Sequence, residues 1–123
     1  MTENELVLDR MLSSYNRGDV DGVLADAADD VEYVLGSRGL HLIGRESWRS
    51  VVLSVANALP GRHMHVSRRI VAGDAAVIEW AIEGVSSGRV AGYPPAGELV
   101  RREGCSVIGF RLGHIVSFRD YVD

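Results

Sequence analysis

Residues 63–85 read HMHVSRRIVAGDAAVIEWAIEGV. Two runs rich in β-branched and apolar side chains, His63–Ala72 and Ala75–Val85, flank Gly73-Asp74, a two-residue pair of the kind that closes a tight hairpin. Upstream the pattern is helical. Pro60-Gly61 stops a segment from Arg45 to about Leu59 whose Trp48, Val51, Val52, Val55 and Leu59 share one face. Nearer the start, Leu8, Met11, Leu12 and Tyr15 fall at i, i+3, i+4 and i+7, and Asn16-Arg17-Gly18 ends that stripe. Asp19 is placed to cap a short second helix reaching about Ala28, Val31–Leu35 reads as a strand, and Ser37–Leu40 as a loop. Downstream, the Gly/Pro-rich stretch 86–97 leads to a second hairpin, 99–111 and 114–122, turning at Leu112-Gly113. Helices first and hairpin-linked strands afterwards predict an α+β domain with a largely antiparallel sheet.

The chain has 123 residues, which suits one domain with one core. Hydrophobic residues make up 46% and charged residues 24%, an ordinary globular composition. The net charge of −4, with one short basic pair at Arg68-Arg69, argues against a nucleic-acid partner. Cys105 is the only cysteine, so no internal disulfide can form. The first residues carry no basic-then-apolar leader, and the longest nearly apolar run, 51–59, is too short to cross a bilayer. No membrane association and a cytoplasmic location are the expectations. His63 and His65 share a strand face, but no third ligand stands nearby, so no metal site and no cofactor are expected.

One carboxylate stands apart. Asp120 lies in the last strand among Phe118, Tyr121 and Val122. A charge there is either solvated at an edge, paired with Arg119 or Arg111, or sheltered in a cavity. An unpaired buried carboxylate costs several kcal/mol. In a greasy setting its pKa would rise, which suits proton transfer near neutral pH.

Four segments read in order carry a resemblance: Ser14-Tyr15-Asn16-Arg17-Gly18-Asp19-Val20-Asp21-Gly22; Ala28-Asp29-Asp30-Val31-Glu32-Tyr33; Ile43-Gly44-Arg45-Glu46; and Gly113-His114-Ile115-Val116 with Arg119-Asp120-Tyr121. Their order and spacing resemble the SnoaL-like branch of the nuclear-transport-factor-2-like superfamily, almost from end to end. The resemblance implies a cone of helices packed in a curved sheet, usually a homodimer, with an apolar pocket for a small ligand. Polyketide cyclases, ketosteroid isomerases, limonene-epoxide hydrolases, dehydratases and non-catalytic members share that fold, so fold alone does not give function.

On the resemblance, Asp120 takes the place of the acid/base aspartate of the cyclases and epoxide hydrolases. Tyr15 would line the pocket, and Tyr33 would correspond to a tyrosine that helps hold an attacking water. Either phenol could equally be core packing. Aligning the strand on Ala75-Ala76 puts Val77, Glu79 and Ala81 toward the cavity, so Glu79 is a candidate second carboxylate sharing a proton with Asp120, or else an exposed ion-pair partner. By period two from Met64 and Val66, Arg68 shares the cavity face and could neutralise Glu79 or hold an oxyanion, or it could snorkel at the rim. Trp48 and Trp80 are expected as core or pocket wall. The resemblance also exposes departures. The isomerase base would fall near Leu35 and its oxyanion tyrosine near Met11; the hydrolases' arginine and aspartate positions hold Glu79 and Ala81. The sequence thus predicts a small cofactor-free acid/base enzyme acting on an apolar carbonyl-bearing or epoxide-bearing molecule, with a non-catalytic dimeric binding or assembly module as the alternative and an epoxide hydrolase with an altered triad as a further one.

Overall fold

The computed structural model describes all 123 residues. Helix α1 spans Glu3–Asn16, α2 Val20–Leu24 and α3 Arg45–Ala58. Strands are β1 (Ala27–Leu35), β2 (Leu40–Ile43), β3 (His63–Ala72), β4 (Ala75–Val85), β5 (Leu99–Arg111) and β6 (His114–Val122), with a short 3-10 turn at Gly36–Arg38. They form one six-stranded sheet in the order β2-β1-β6-β5-β4-β3. Every neighbouring pair is antiparallel except β1 with β6. The helices cover the concave face of this curved sheet, giving the α+β class that the sequence predicts and the cone that the resemblance implies.

Local chemistry sets the element boundaries. Thr2 and Glu5 close a reciprocal capping box at the start of α1. Asp19 caps α2 by accepting from the Gly22 N–H. Helix α2 ends at Leu24, earlier than Ala28, because Ile115 N–H bonds to the Asp26 carbonyl and draws the chain into the β6 ladder. Strand β2 replaces part of the expected loop; it is a four-residue, mostly exposed edge strand on β1. Leu112 and Gly113 both adopt positive φ (50° and 77°), as a tight hairpin turn that follows the strand twist requires.

The core runs between α1, α3 and the inner sheet face. On β4 the buried alternation is Ala76, Ile78, Trp80 and Ile82. That is the opposite phase from the expectation that put Val77, Glu79 and Ala81 inward. The larger apolar set takes the core, and Glu79 faces outward, its side chain 51% exposed. A bulge makes the second correction. Val66 pairs with Trp80 and Arg68 with Glu79, so Ser67 is the extra residue of β3. It reverses the alternation: Met64 and Val66 pack inward, Arg68 swings out to pair with Glu79 at 3.3 Å, and Arg69 turns back toward α1, where it meets Asp9. Arg68 and Glu79 therefore form an ion pair on the outer face, across the sheet from the core.

Candidate functional site

Between the helices and the inner face lies a cavity of about 730 Å³, within the usual range for small-molecule sites. Its lining is mostly hydrophobic. Helix α1 contributes Met11, Leu12 and Tyr15; α3 contributes Trp48, Val51, Val52 and Val55; the sheet contributes Tyr33, Ile78, Trp80, Ile82 and Phe118. The Trp48 and Phe118 rings sit 5.0 Å apart, and Tyr33 stacks on Phe118 at 6.4 Å. The cone is hollow despite these aromatics. Leu35 and Met11, where the resemblance sets the isomerase base and oxyanion donor, also line the wall and bring no polar group to it.

Asp120 is the carboxylate on this wall, accompanied by Asp123 where the chain reaches the rim. Strand β6 places Asp120 between two neighbours: Ser106 lies directly across on β5 and Leu35 directly across on β1. The Ser106 hydroxyl donates to Asp120 Oδ1 at 2.5 Å. Tyr33, diagonal on β1, donates its hydroxyl to Oδ2 at 2.8 Å. Behind Ser106, the Trp80 indole donates to Ser106 Oγ at 2.9 Å. An indole N–H can only donate and an ionised carboxylate can only accept, so the single Ser106 proton goes to Asp120. The chain Trp80→Ser106→Asp120 is thus fixed in direction. Gly104 makes room for it: a Cβ there would lie within 2.9 Å of the Trp80 ring and closer still to the Tyr121 carbonyl.

Two effects compete at Asp120. Burial disfavours the ion and raises the pKa; the Ser106 and Tyr33 hydrogen bonds favour the ion and lower it; burial is the larger and the carboxyl lies above its ordinary range. The same burial, with the neighbouring carboxylate and the hydrogen bond to it, holds the Tyr33 phenol far above the usual tyrosine range. Tyr15 is also raised by burial, with the charge of Arg62 partly offsetting it.

The structure brings Asp120, Tyr15, Tyr33, Trp48 and Trp80 to one cavity and leaves Glu79 and Arg68 outside it. Sequence reasoning missed Ser106, a small polar residue at an inward position of β5, and Arg62, a buried cation beneath Tyr15. No group of three or more His, Cys, Asp or Glu side chains is arranged to hold a metal. No helix is long and apolar enough to cross a membrane.

Comparison with known proteins agrees with this architecture. AclR from Streptomyces galilaeus, a candidate hydroxylase, superimposes with a TM-score of 0.86 at 16% identity, covering 98% of this chain and 79% of its own. A candidate SnoaL-like polyketide cyclase from Jannaschia sp. CCS1 gives 0.86 at 18% identity, covering 98% and 85%. A candidate polyketide cyclase from Xanthomonas campestris pv. campestris gives 0.81 at 24% identity, covering 98% and 90%. At such identities these likenesses establish the fold alone. No match was found among curated proteins. The profile of the SnoaL-like polyketide cyclases matches residues 5–123, nearly the whole sequence, and the chain belongs to that family.

Proposed function

We propose that the cup is a cofactor-free acid/base site that moves a proton at a carbon beside the carbonyl of an apolar ligand. The observation that carries this reading is Asp120 itself: a carboxylate in an apolar cavity, above its ordinary pKa, with a donor on each oxygen. Ionised Asp120 removes the α-proton. The electron pair left behind moves onto the carbonyl oxygen as an enolate. In a cyclisation, that enolate carbon then attacks a second carbonyl of the same molecule, and the resulting alkoxide takes the proton back from Asp120. One C–H bond and the π bond of the second carbonyl break, one C–C and one O–H bond form, and nothing external is consumed. Returning the proton to a different carbon gives isomerisation instead.

The two tyrosines divide the work. Tyr33 has its proton committed to Asp120 and holds the base. Each Asp120 oxygen accepts one of these hydrogen bonds and keeps a further lone pair for the substrate proton. Tyr15 borders the same cavity with no such commitment and is placed to donate to the substrate oxygen. Trp48, Trp80 and Phe118 wall the apolar body of the ligand. Epoxide opening through an Asp-Arg-Asp arrangement is not part of this reading, since Arg68 and Glu79 stand on the outer face.

The assembly belongs to the same proposal. The resemblance implies a homodimer, and the chain is expected to pair with a second copy of itself. Light scattering of the purified protein should give twice the chain mass.

The test of the chemistry is proton exchange into 2-tetralone, an apolar ketone with acidic α-protons, followed by NMR in deuterated water. The wild-type protein should accelerate exchange, and Asp120→Asn, folded by circular dichroism, should not. Tight binding of 2-tetralone without accelerated exchange would instead favour a ligand-carrying cup.

A further inference from the structure

Arg62 is 4% exposed and takes part in none of the ion pairs of the structure. Its Nε has no hydrogen-bond partner. Its guanidinium lies 4.2 Å over the ring of Tyr15. Burying a cation without an anion beside it is unfavourable. Two visible features offset part of that cost. Arg62 follows the C-terminal turn of α3, its N–H bonding to the Leu59 carbonyl, and the negative end of a helix favours a cation. Stacking on the tyrosine ring, whose face is electron-rich, is also favourable. Together these leave the cation without the anion that a buried guanidinium normally finds.

The order of groups across the cup suggests where that anion is. Arg62 lies behind Tyr15, Tyr15 lines the cavity, and Asp120 stands on the cavity wall with its charge felt at Tyr15. When Asp120 takes a proton from the ligand, the negative charge leaves Asp120 and appears on the ligand oxygen. A fixed positive charge behind the phenol that binds that oxygen keeps the cup electrically balanced through the transfer.

We propose that Arg62 is a positioning residue that makes the Tyr15 hydroxyl a strong hydrogen-bond donor, so that the Tyr15–Arg62 stack selects ligands carrying an anionic oxygen: enolates, and acidic enols or phenols bound as their anions. This rests on the acid/base reading of the cavity and assigns the charge of the species it stabilises. Arg62 touches no ligand. It acts through Tyr15, whose ring it polarises and whose orientation it fixes.

The experiment measures binding of 2-naphthol, followed by the red-shifted absorbance of naphtholate, at a pH where free naphthol is half ionised. The neutral isostere 2-methylnaphthalene is the control. Arg62→Met should weaken naphtholate binding about tenfold, the scale of losing a charge-assisted hydrogen bond, and leave 2-methylnaphthalene within about threefold. Arg62→Lys, which keeps the charge, should recover most of the loss. Tyr15→Phe, which keeps Arg62, should lose naphtholate binding to the same extent, and this variant decides the matter if Arg62→Met does not fold. Unchanged naphtholate binding in Arg62→Met or Tyr15→Phe, or equal loss of both ligands in Arg62→Met, would overturn the assignment while leaving the cavity reading intact. Failure of wild-type protein to bind 2-methylnaphthalene would overturn the cavity reading and this inference with it.

Discussion

The two faces of one sheet treat similar side chains in opposite ways. On the outer face, Glu79 and Arg68 pair at 3.3 Å with their side chains 51% and 69% exposed. On the inner face, Asp120 has no cation beside it and is held by the hydroxyls of Ser106 and Tyr33. The outer pair is screened by water and is worth at most about 1 kcal/mol. The inner carboxylate is desolvated, and its pKa is displaced. A carboxylate becomes chemically useful through its surroundings, and strand parity decides which surroundings it gets.

The largest expected contrast is catalytic. Asp120→Asn should reduce proton exchange into 2-tetralone by about 100-fold or more, the span of general acid–base catalysis, while Glu79→Gln stays within about twofold of wild type. Equal losses from the two changes would erase the distinction between the faces.

A smaller effect is expected from the donors around the base. Tyr33→Phe and Ser106→Ala each remove a hydrogen bond to the Asp120 ion, and each should slow exchange by about tenfold, the value of one charge-assisted hydrogen bond. Both should also move the pH–rate profile upward, because the bonds they delete lower the Asp120 pKa. A downward shift in either variant would contradict the assigned roles.

Stability supplies a sign rather than a large number. The folded pKa of Asp120 is raised above its ordinary 3.8. The stability linked to its protonated form is therefore fully present below the unfolded pKa and is lost as pH rises through the folded one. At neutral pH the folded chain carries the penalty of a sheltered ion, so Asp120→Asn should melt higher than wild type, with the gap closing as the pH falls toward about 4. A gap that widens at low pH would mean the ion is better solvated in the fold than in the open chain.

The smallest change belongs to the outer face. Glu79→Gln and Arg68→Ala should each alter unfolding free energy by no more than about 0.5–1 kcal/mol in urea titrations, and less at high salt. A larger loss would show that the outer pair is held more rigidly than its exposure implies.

Much of the fold was legible in the sequence because its signals are local. The α1 stripe, the Pro60-Gly61 stop and the Gly73-Asp74 and Leu112-Gly113 turns each act over a few residues and lie where the periodicity predicts them. The site was legible only in part. Asp120, the two tyrosines and the two tryptophans follow from apolar context and from the family resemblance. Glu79 and Arg68 were misplaced because parity is a long-range property. One bulge at Ser67 reverses every side chain after it in β3, and the phase of β4 depends on which of two apolar sets wins the core. Ser106 was hidden by the same physics. Counting straight back from the Arg111–His114 pair would set Cys105 opposite Asp120, but an extra residue at Val116 moves the register by one and delivers Ser106. Arg62 gave no signal, since a charged residue after Pro-Gly reads as an exposed turn.

The most direct measurement is a carbon-13 NMR titration of the Asp120 carboxyl, assigned by its loss in Asp120→Asn. A midpoint clearly above the ordinary aspartate value, falling back toward that value when the protein is unfolded, is the predicted result. A midpoint at or below about 4 in the folded protein would contradict a sheltered acid/base carboxylate and leave the cavity without its proton-transfer group.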